Sequence, residues 1–247
     1  MMLRGKSTVA VALLSVAASV WAGEGDLVFV DVYGGYLWPS NEDITYKASI
    51  GGARGTFEMN DVGVEDKAGF GGRVGFWFQS HPALGFAIDT TRFDADVDTQ
   101  TINGTFSSPA VGSGTLPLQA TSELRVANTF VTFDLIYRRT YGRLTPYITG
   151  GVGVAISELD EDFFSTTRSE NTATPVAFKG GAGLSYTLSD AMELFGEYRY
   201  MHAAPDYDIK AGVDPATVGT ATPSFGASNL EKDINVHALM TGVSIRF

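Results

Sequence analysis

The sequence predicts an all-β fold: an eight-stranded antiparallel up-and-down transmembrane β-barrel. Three observations point there. The stretch Asn235 to Phe247 alternates with a period of two, setting Leu239, Thr241, Val243, Ile245 and Phe247 on one face and Met240, Gly242, Ser244 and Arg246 on the other. Seven earlier stretches alternate in the same way. The connections between them run long, short, long, short, long, short, long, the rhythm of a barrel with tight turns at one rim and extended loops at the other.

Residues 1–22 stand apart. Arg4 and Lys6 open them, an apolar run follows from Ser7 to Val20, and small Ala22 ends a cleavage-like site. This is the pattern of a secretory signal peptide, and the run is shorter than the roughly 20 residues a helical span needs. The expected mature barrel is 23–247. Loss of Arg4 and Lys6, with no acid in 1–22, takes the formal charge from -11 to -13. So acidic a chain argues against nucleic acid or anionic lipid as a partner. With no cysteine, disulfides and thiolate metal sites are excluded. Mean hydropathy is near zero at +0.05, as expected where oil-facing and lumen-facing residues average out.

The strands follow in order. Leu27 to Trp38 sets Val28, Val30, Val32, Tyr36 and Trp38 against Phe29, Asp31, Tyr33 and Gly35. A polar stretch, 39–68, carries Gly51-Gly52, Asn60 and Asp61 as turn residues. Gly69 to Phe78 sets Phe70, Val74, Phe76 and Phe78 against Arg73 and Trp77. Gln79 to Ala83 is a turn. Leu84 to Phe93 sets Phe86 and Ile88 against Asp89. A second long loop covers 94–122. Glu123 to Arg138 sets Val131, Phe133, Leu135 and Tyr137 against Asn128, Thr132 and Asp134, with a slip near Val126 that predicts a bulge. After the turn Arg139 to Arg143, Leu144 to Ile156 sets Ile148, Val152, Val154 and Ile156 against Thr145, Tyr147, Thr149 and Gly151. A third loop covers 157–175. Val176 to Leu188 sets Phe178, Leu184 and Tyr186 against Lys179 and Ser185. After Ser189-Asp190-Ala191, Met192 to Met201 sets Leu194, Tyr198 and Tyr200 against Glu193, Glu197 and Arg199. A fourth loop, 202–234, leads to the last strand.

A soluble barrel would hide the apolar face and expose the charged one. Against that, aromatics gather in two rows. Tyr36, Trp38, Phe70 and Tyr200 lie at the loop end; Phe78, Phe86, Tyr137, Tyr186 and Phe247 lie at the turn end. Such rows form the interfacial girdles of membrane barrels.

The chain resembles the small eight-stranded outer-membrane barrels of the OmpA/OmpX type. Leu144-Thr-Pro-Tyr-Ile-Thr-Gly-Gly-Val-Gly-Val154, Glu193-Leu-Phe-Gly-Glu-Tyr-Arg-Tyr200 and Gly242-Val-Ser-Ile-Arg-Phe247 carry the likeness, which spans nearly all of the mature chain. It implies the outer membrane, with lipid bilayer and lipopolysaccharide as surroundings. It also implies that the barrel assembly machinery reads Val243, Ile245 and Phe247. A chain stopping at Phe247 is expected to lack the peptidoglycan-binding domain of OmpA, and its outer loops look longer than those of OmpX.

The inward face gathers Asp31, Arg73, Asp89, Asp134, Lys179, Glu193, Glu197, Arg199 and Arg246. Eight strands leave a bore barely wide enough for side chains, so these charges are expected to pair as a plug or a gated narrow pore. The runs Gly69-Phe-Gly-Gly-Arg-Val-Gly75, Gly150-Gly-Val-Gly153 and Gly180-Gly-Ala-Gly183 open no helix, so they are expected to ease packing rather than cradle phosphate. Asp94-Ala-Asp-Val-Asp98 starts like a calcium loop, but Thr99 and Thr105 stand where Gly and Glu are needed. Glu158, Asp160, Glu161 and Asp162 read as a solvated acidic loop. Of the histidines His81, His202 and His237, only His202 with Ser228 and Asp206 suggests hydrolytic chemistry, of the kind that acts on lipid A. No metal site or cofactor is expected. The reading is a non-enzymatic structural or surface-binding protein whose acidic loops meet an extracellular ligand. The alternatives are a narrow channel for small or apolar solutes, and a lipid A-modifying hydrolase.

Overall fold

The computed structural model describes residues 27–40, 42–50, 53–62, 66–97, 101–108, 112–119, 124–161, 169–209 and 228–247. The segment 1–22 lies outside them, as do Gly51-Gly52, Asp98, Thr99 and Asp162. The strands are β1 (Leu27–Pro39), β2 (Glu42–Ile50), β3 (Ala53–Val62), β4 (Lys67–Trp77), β5 (Leu84–Val97), β6 (Thr101–Ser108), β7 (Gly112–Gln119), β8 (Leu124–Arg138), β9 (Leu144–Glu161), β10 (Ser169–Ala173), β11 (Val176–Ser189), β12 (Met192–Ala203), β13 (Asp206–Ile209), β14 (Ser228–Lys232) and β15 (Ile234–Arg246).

Eight of these, β1, β4, β5, β8, β9, β11, β12 and β15, form a closed antiparallel ring in which each pairs with the next along the chain. The terminal strand β15 closes it on β1, with Phe29 opposite Arg246 and Pro39 opposite Val236. Closure leaves no open edge in the bilayer, where an unpaired N–H or C=O costs several kcal/mol.

The burial pattern is the reverse of a soluble barrel's. On β1, Phe29, Asp31, Tyr33 and Leu37 are buried in the bore, while Val32 is 65% exposed on the outside. On β12, Glu193, Phe195, Glu197, Arg199 and Met201 point in, and Leu194, Tyr198 and Tyr200 point out. A wall that shows water a belt of Val, Leu, Ile and Phe while burying Asp, Glu, Lys and Arg is stable only against hydrocarbon.

The four long loops are largely strands, which corrects the sequence expectation. Strands β2, β3, β6, β7, β13 and β14 make a second sheet, ordered β13-β14-β2-β3-β6-β7, beyond the loop rim, and β10 adds to the end of β9. Asn60 and Asp61, expected in a turn, belong to β3, while Asp94, Asp96, Glu158, Asp160 and Glu161 lie in β5 and β9. Outside the membrane water wets both faces of a strand, so the alternation that marks a half-buried strand disappears and polar residues read as loop. The bulge expected near Val126 is also absent: the β5–β8 ladder runs unshifted from Leu84 opposite Tyr137 to Val97 opposite Leu124. The slip in pattern arises because the inward face of β8 mixes Asn128, Phe130, Thr132, Asp134 and Ile136. The one register shift in the ring lies between Thr187 and Ser189.

Candidate functional site

Period-two geometry brings the nine expected charged side chains into the bore, where eight are buried and Arg246 is partly exposed. They form two groups rather than one. In the middle, Arg73 donates from Nε to Asp31 at 2.8 Å and from Nη2 to Glu197 at 3.2 Å. Glu197 also pairs with Arg199, whose Nη1 reaches Asp89 at 3.4 Å. Lys179 stands 3.1 Å from Asp89 and pairs with Asp134. Three cations thus hold four carboxylates in one chain of contacts spanning β1, β4, β5, β8, β11 and β12. Glu193 and Arg246 pair separately, nearer the turn end.

Neutral side chains add hydrogen bonds to this layer. Tyr33 donates to Asp89 at 2.8 Å, Tyr147 to Glu197 at 2.7 Å, and Thr132 to Asp134 at 2.8 Å. The Arg199 guanidinium lies 4.1 Å from the centroid of the Tyr33 ring and donates to Thr91 at 3.1 Å. Charges withdrawn from water are tolerated only with such partners.

The glycine runs make room for it. A Cβ on Gly71 would come within 2.5 Å of the Tyr33 hydroxyl, one on Gly183 within 2.4 Å of the Tyr147 ring, and one on Gly151 within 2.0 Å of an Asp134 oxygen. Tyr33 and Tyr147 each lie across a glycine of a neighbouring strand, which is how a bore of this size accommodates them.

Two further layers bound the charged one. Towards the loop rim, Leu37, Phe93, Phe130, Met201, Val236 and Met240 pack against each other, all at most 2% exposed. Phe93 and Phe130 stack with centroids 5.8 Å apart. Towards the turn rim, Arg138 covers Trp77 at 3.5 Å, Trp77 stacks on Phe29, and a cavity of about 30 Å³ opens between Asp31, Arg73, Glu193 and Phe195. That is room for roughly two or three water molecules.

Sequence reasoning set Tyr33, Tyr147 and Thr132 on the inward face without naming their partners, and it missed Arg138, Thr91 and the apolar upper layer. All obey the inward parity. What hid them is that Arg138 ends its strand and that buried Leu, Phe and Met look the same in sequence whichever way they face.

On the outer wall, Tyr36, Tyr137, Tyr186 and Tyr200 are exposed, Phe70 and Phe247 more so, and Trp38, Phe78 and Phe86 are half-buried. Val243, Ile245 and Phe247 face outward on the closing strand, and the Phe247 amide donates to Val28 at 2.9 Å. The three residues proposed for hydrolysis are not brought together. His202 faces outward and meets Asn235 at 2.9 Å. Asp206 lies opposite Glu231 and Ser228 opposite Ile209, three rungs along the β13–β14 ladder and so roughly 10 Å apart. Among the described residues no group of three or more His, Asp or Glu is placed to hold a metal ion.

An inside-out closed ring with a paired ionic interior defines a transmembrane β-barrel. The chain belongs to the outer membrane protein β-barrel domain family, whose model matches residues 8–247, and it resides in the outer membrane. An uncharacterised protein of Brucella suis biovar 1 is 25% identical over 224 residues, covering 79% of this chain and 74% of the relative. Among solved structures, the outer membrane protein OprG of Pseudomonas aeruginosa shares 15% identity at a TM-score of 0.50, over 89% of this chain and 95% of OprG. Neisserial surface protein A shares 14% at 0.44, over 89% and 97%. The likeness to these structures is one of fold.

Proposed function

We propose that the chain is a non-enzymatic outer-membrane protein that works at the cell surface, as a binding or envelope-stabilising scaffold. The observation that carries this reading is the filled bore. An ionic layer and an apolar layer succeed each other along the axis, and the cavity beneath them holds only roughly two or three waters. A channel for solutes needs a continuous wet path, so the narrow-pore alternative is the weaker one. The six-stranded outer sheet supplies the surface, since recognition usually resides on connections held by a rigid scaffold. The separation of Asp206 from Ser228 weighs against the hydrolase.

Purified protein in planar bilayers is expected to give no current steps, and cells expressing it are expected to keep an unchanged lipid A mass spectrum. Adherence or detergent resistance gained on expression should disappear when β6 and β7 are replaced by a short turn. Regular conductance steps, or a shifted lipid A mass, would overturn the reading.

We also infer that Val243, Ile245 and Phe247 serve assembly rather than the finished fold. The Phe247 side chain is 72% exposed, so its removal leaves packing nearly intact. Phe247→Ala is expected to refold in detergent with stability within about 0.5 kcal/mol of wild type, while its yield in the outer membrane of living cells drops several-fold. Equal yields in cells would sink the assignment.

A further inference from the structure

We propose that the cavity at the turn end of the bore binds a small oxyanion that keeps a hydrogen, of the hydrogen phosphate type, entering from the periplasm. The inference goes beyond the surface-binding role and does not depend on it.

The site begins with register. Asp31 of β1 lies opposite Arg73 of β4 on one side and Ser244 of β15 on the other, and Ser244 lies opposite Glu193 of β12. On the facing strands, Ser185 of β11 lies opposite Thr145 of β9, and Tyr147 of β9 opposite Arg138 of β8. Ser185, Ser244 and Thr145 are too short to fill the bore between them, and the space left is the cavity of about 30 Å³. It has room for roughly two or three waters, which is also about the bulk of one such ion.

The charges around it are not all matched. Arg73 gives Nε to Asp31 and Nη2 to Glu197, but its Nη1 has no hydrogen-bond partner, although the residue is only 3% exposed. The Tyr147 and Phe195 rings, centred 5.9 and 5.6 Å from its Cζ, hold the guanidinium in place. Glu193 is already engaged: it pairs with Arg246 and accepts from Thr187 at 2.9 Å and from Ser185 at 3.3 Å. Arg138 is left without an acidic partner among the described residues. Its Nε donates to the Pro82 carbonyl at 3.1 Å, and its guanidinium lies over Trp77. An unpaired cation and an unbonded guanidinium N–H thus border one cavity, and both call for an anion. Arg138 is half-buried while the other lining residues are buried, so it marks the entrance, on the rim of short turns that faces the periplasm. The chain as a whole is acidic, so an anion here is held by these local groups against the overall field.

Asp31 decides which anion. Its Oδ2 takes Arg73, while Oδ1 accepts no hydrogen bond. A free carboxylate oxygen repels a fully deprotonated ion such as sulfate and accepts the O–H of hydrogen phosphate.

The test is isothermal titration calorimetry of the full chain, folded in micelles near neutral pH at constant ionic strength, with inorganic phosphate and sulfate as probes. Wild type is expected to bind a single phosphate and to bind sulfate about tenfold more weakly. Arg138→Gln keeps a planar group over Trp77 and is expected to weaken phosphate about tenfold. Arg143→Gln, at an exposed arginine of the same rim that reaches Tyr186 and not the cavity, is expected to leave binding unchanged. Ser244→Leu keeps every charge, fills the space and is expected to abolish binding. Glycerol 3-phosphate, too bulky for the space, is expected not to compete. Should Ser244→Leu fail to fold, as judged by heat-modifiable migration, Arg138→Gln at its strand end carries the test. No phosphate bound by wild type, sulfate bound as tightly, undiminished binding in whichever cavity variant folds, an equal loss in Arg143→Gln, or displacement by glycerol 3-phosphate overturns the proposal.

Discussion

Arg199→Leu is expected to destabilise the barrel by about 3–5 kcal/mol, the range for breaking a buried pair by deleting one partner. Arg199 is fully buried and pairs with both Asp89 and Glu197. Its removal shifts the middle layer from three cations and four carboxylates to two and four, all of them buried. Asp89 keeps Lys179 and Tyr33, and Glu197 keeps Arg73 and Tyr147, so the loss should stay below outright unfolding. Pairing the change with Asp89→Asn should cost less than the sum of the two single changes, because each removes the reason for the other's charge. Arg199→Lys should fall between, since an ammonium lacks the fork that spans two carboxylates and a threonine. Urea unfolding in micelles, followed by tryptophan fluorescence, measures wild type and the four variants. A loss under about 1 kcal/mol for Arg199→Leu would mean that the charges are effectively hydrated, as exposed pairs are.

Val32→Arg is expected to cost about 2–4 kcal/mol in a lipid bilayer, and Leu27→Arg only about 0–1 kcal/mol, because the penalty depends on depth. Both side chains are exposed on the outer face of β1 or at its end, Val32 near the strand's middle and Leu27 at the turn rim. On a soluble barrel either change would be nearly neutral, so the difference between the two reports the hydrocarbon directly. Refolding into vesicles and titrating with denaturant gives both values. Equal, small effects would place this wall in water and remove the membrane assignment.

The eight ring strands, their order and their facing were legible because the bilayer imposes one environment outside and another inside, and a period of two records that contrast residue by residue. The limits of that signal are visible at particular positions. Glu158 to Glu161 continue β9, and Asn60 and Asp61 lie in β3, yet no alternation betrays them where both faces are wet. Phe130 and Ile136 on β8 blurred the pattern because an inward position tolerates an apolar side chain wherever its neighbours in the bore are apolar too. Parity assigned Asp31 and Arg199 to the interior, but their partners come from strands far apart in the chain, and no local spacing names them.

By itself the sequence determined the topology: which segments cross, in which direction, and which side chains face oil, since these depend only on local alternation and on the lengths between turns. Tertiary structure alone decided the rest. It set Tyr33 over Gly71, split Glu193 and Arg246 from the central ions, sealed the bore with Phe93 and Phe130, and joined three long connections into one outer sheet. Those outcomes depend on ring closure and stagger, which fix the height at which each strand meets its neighbours, and a height is a relation between strands that no single strand encodes.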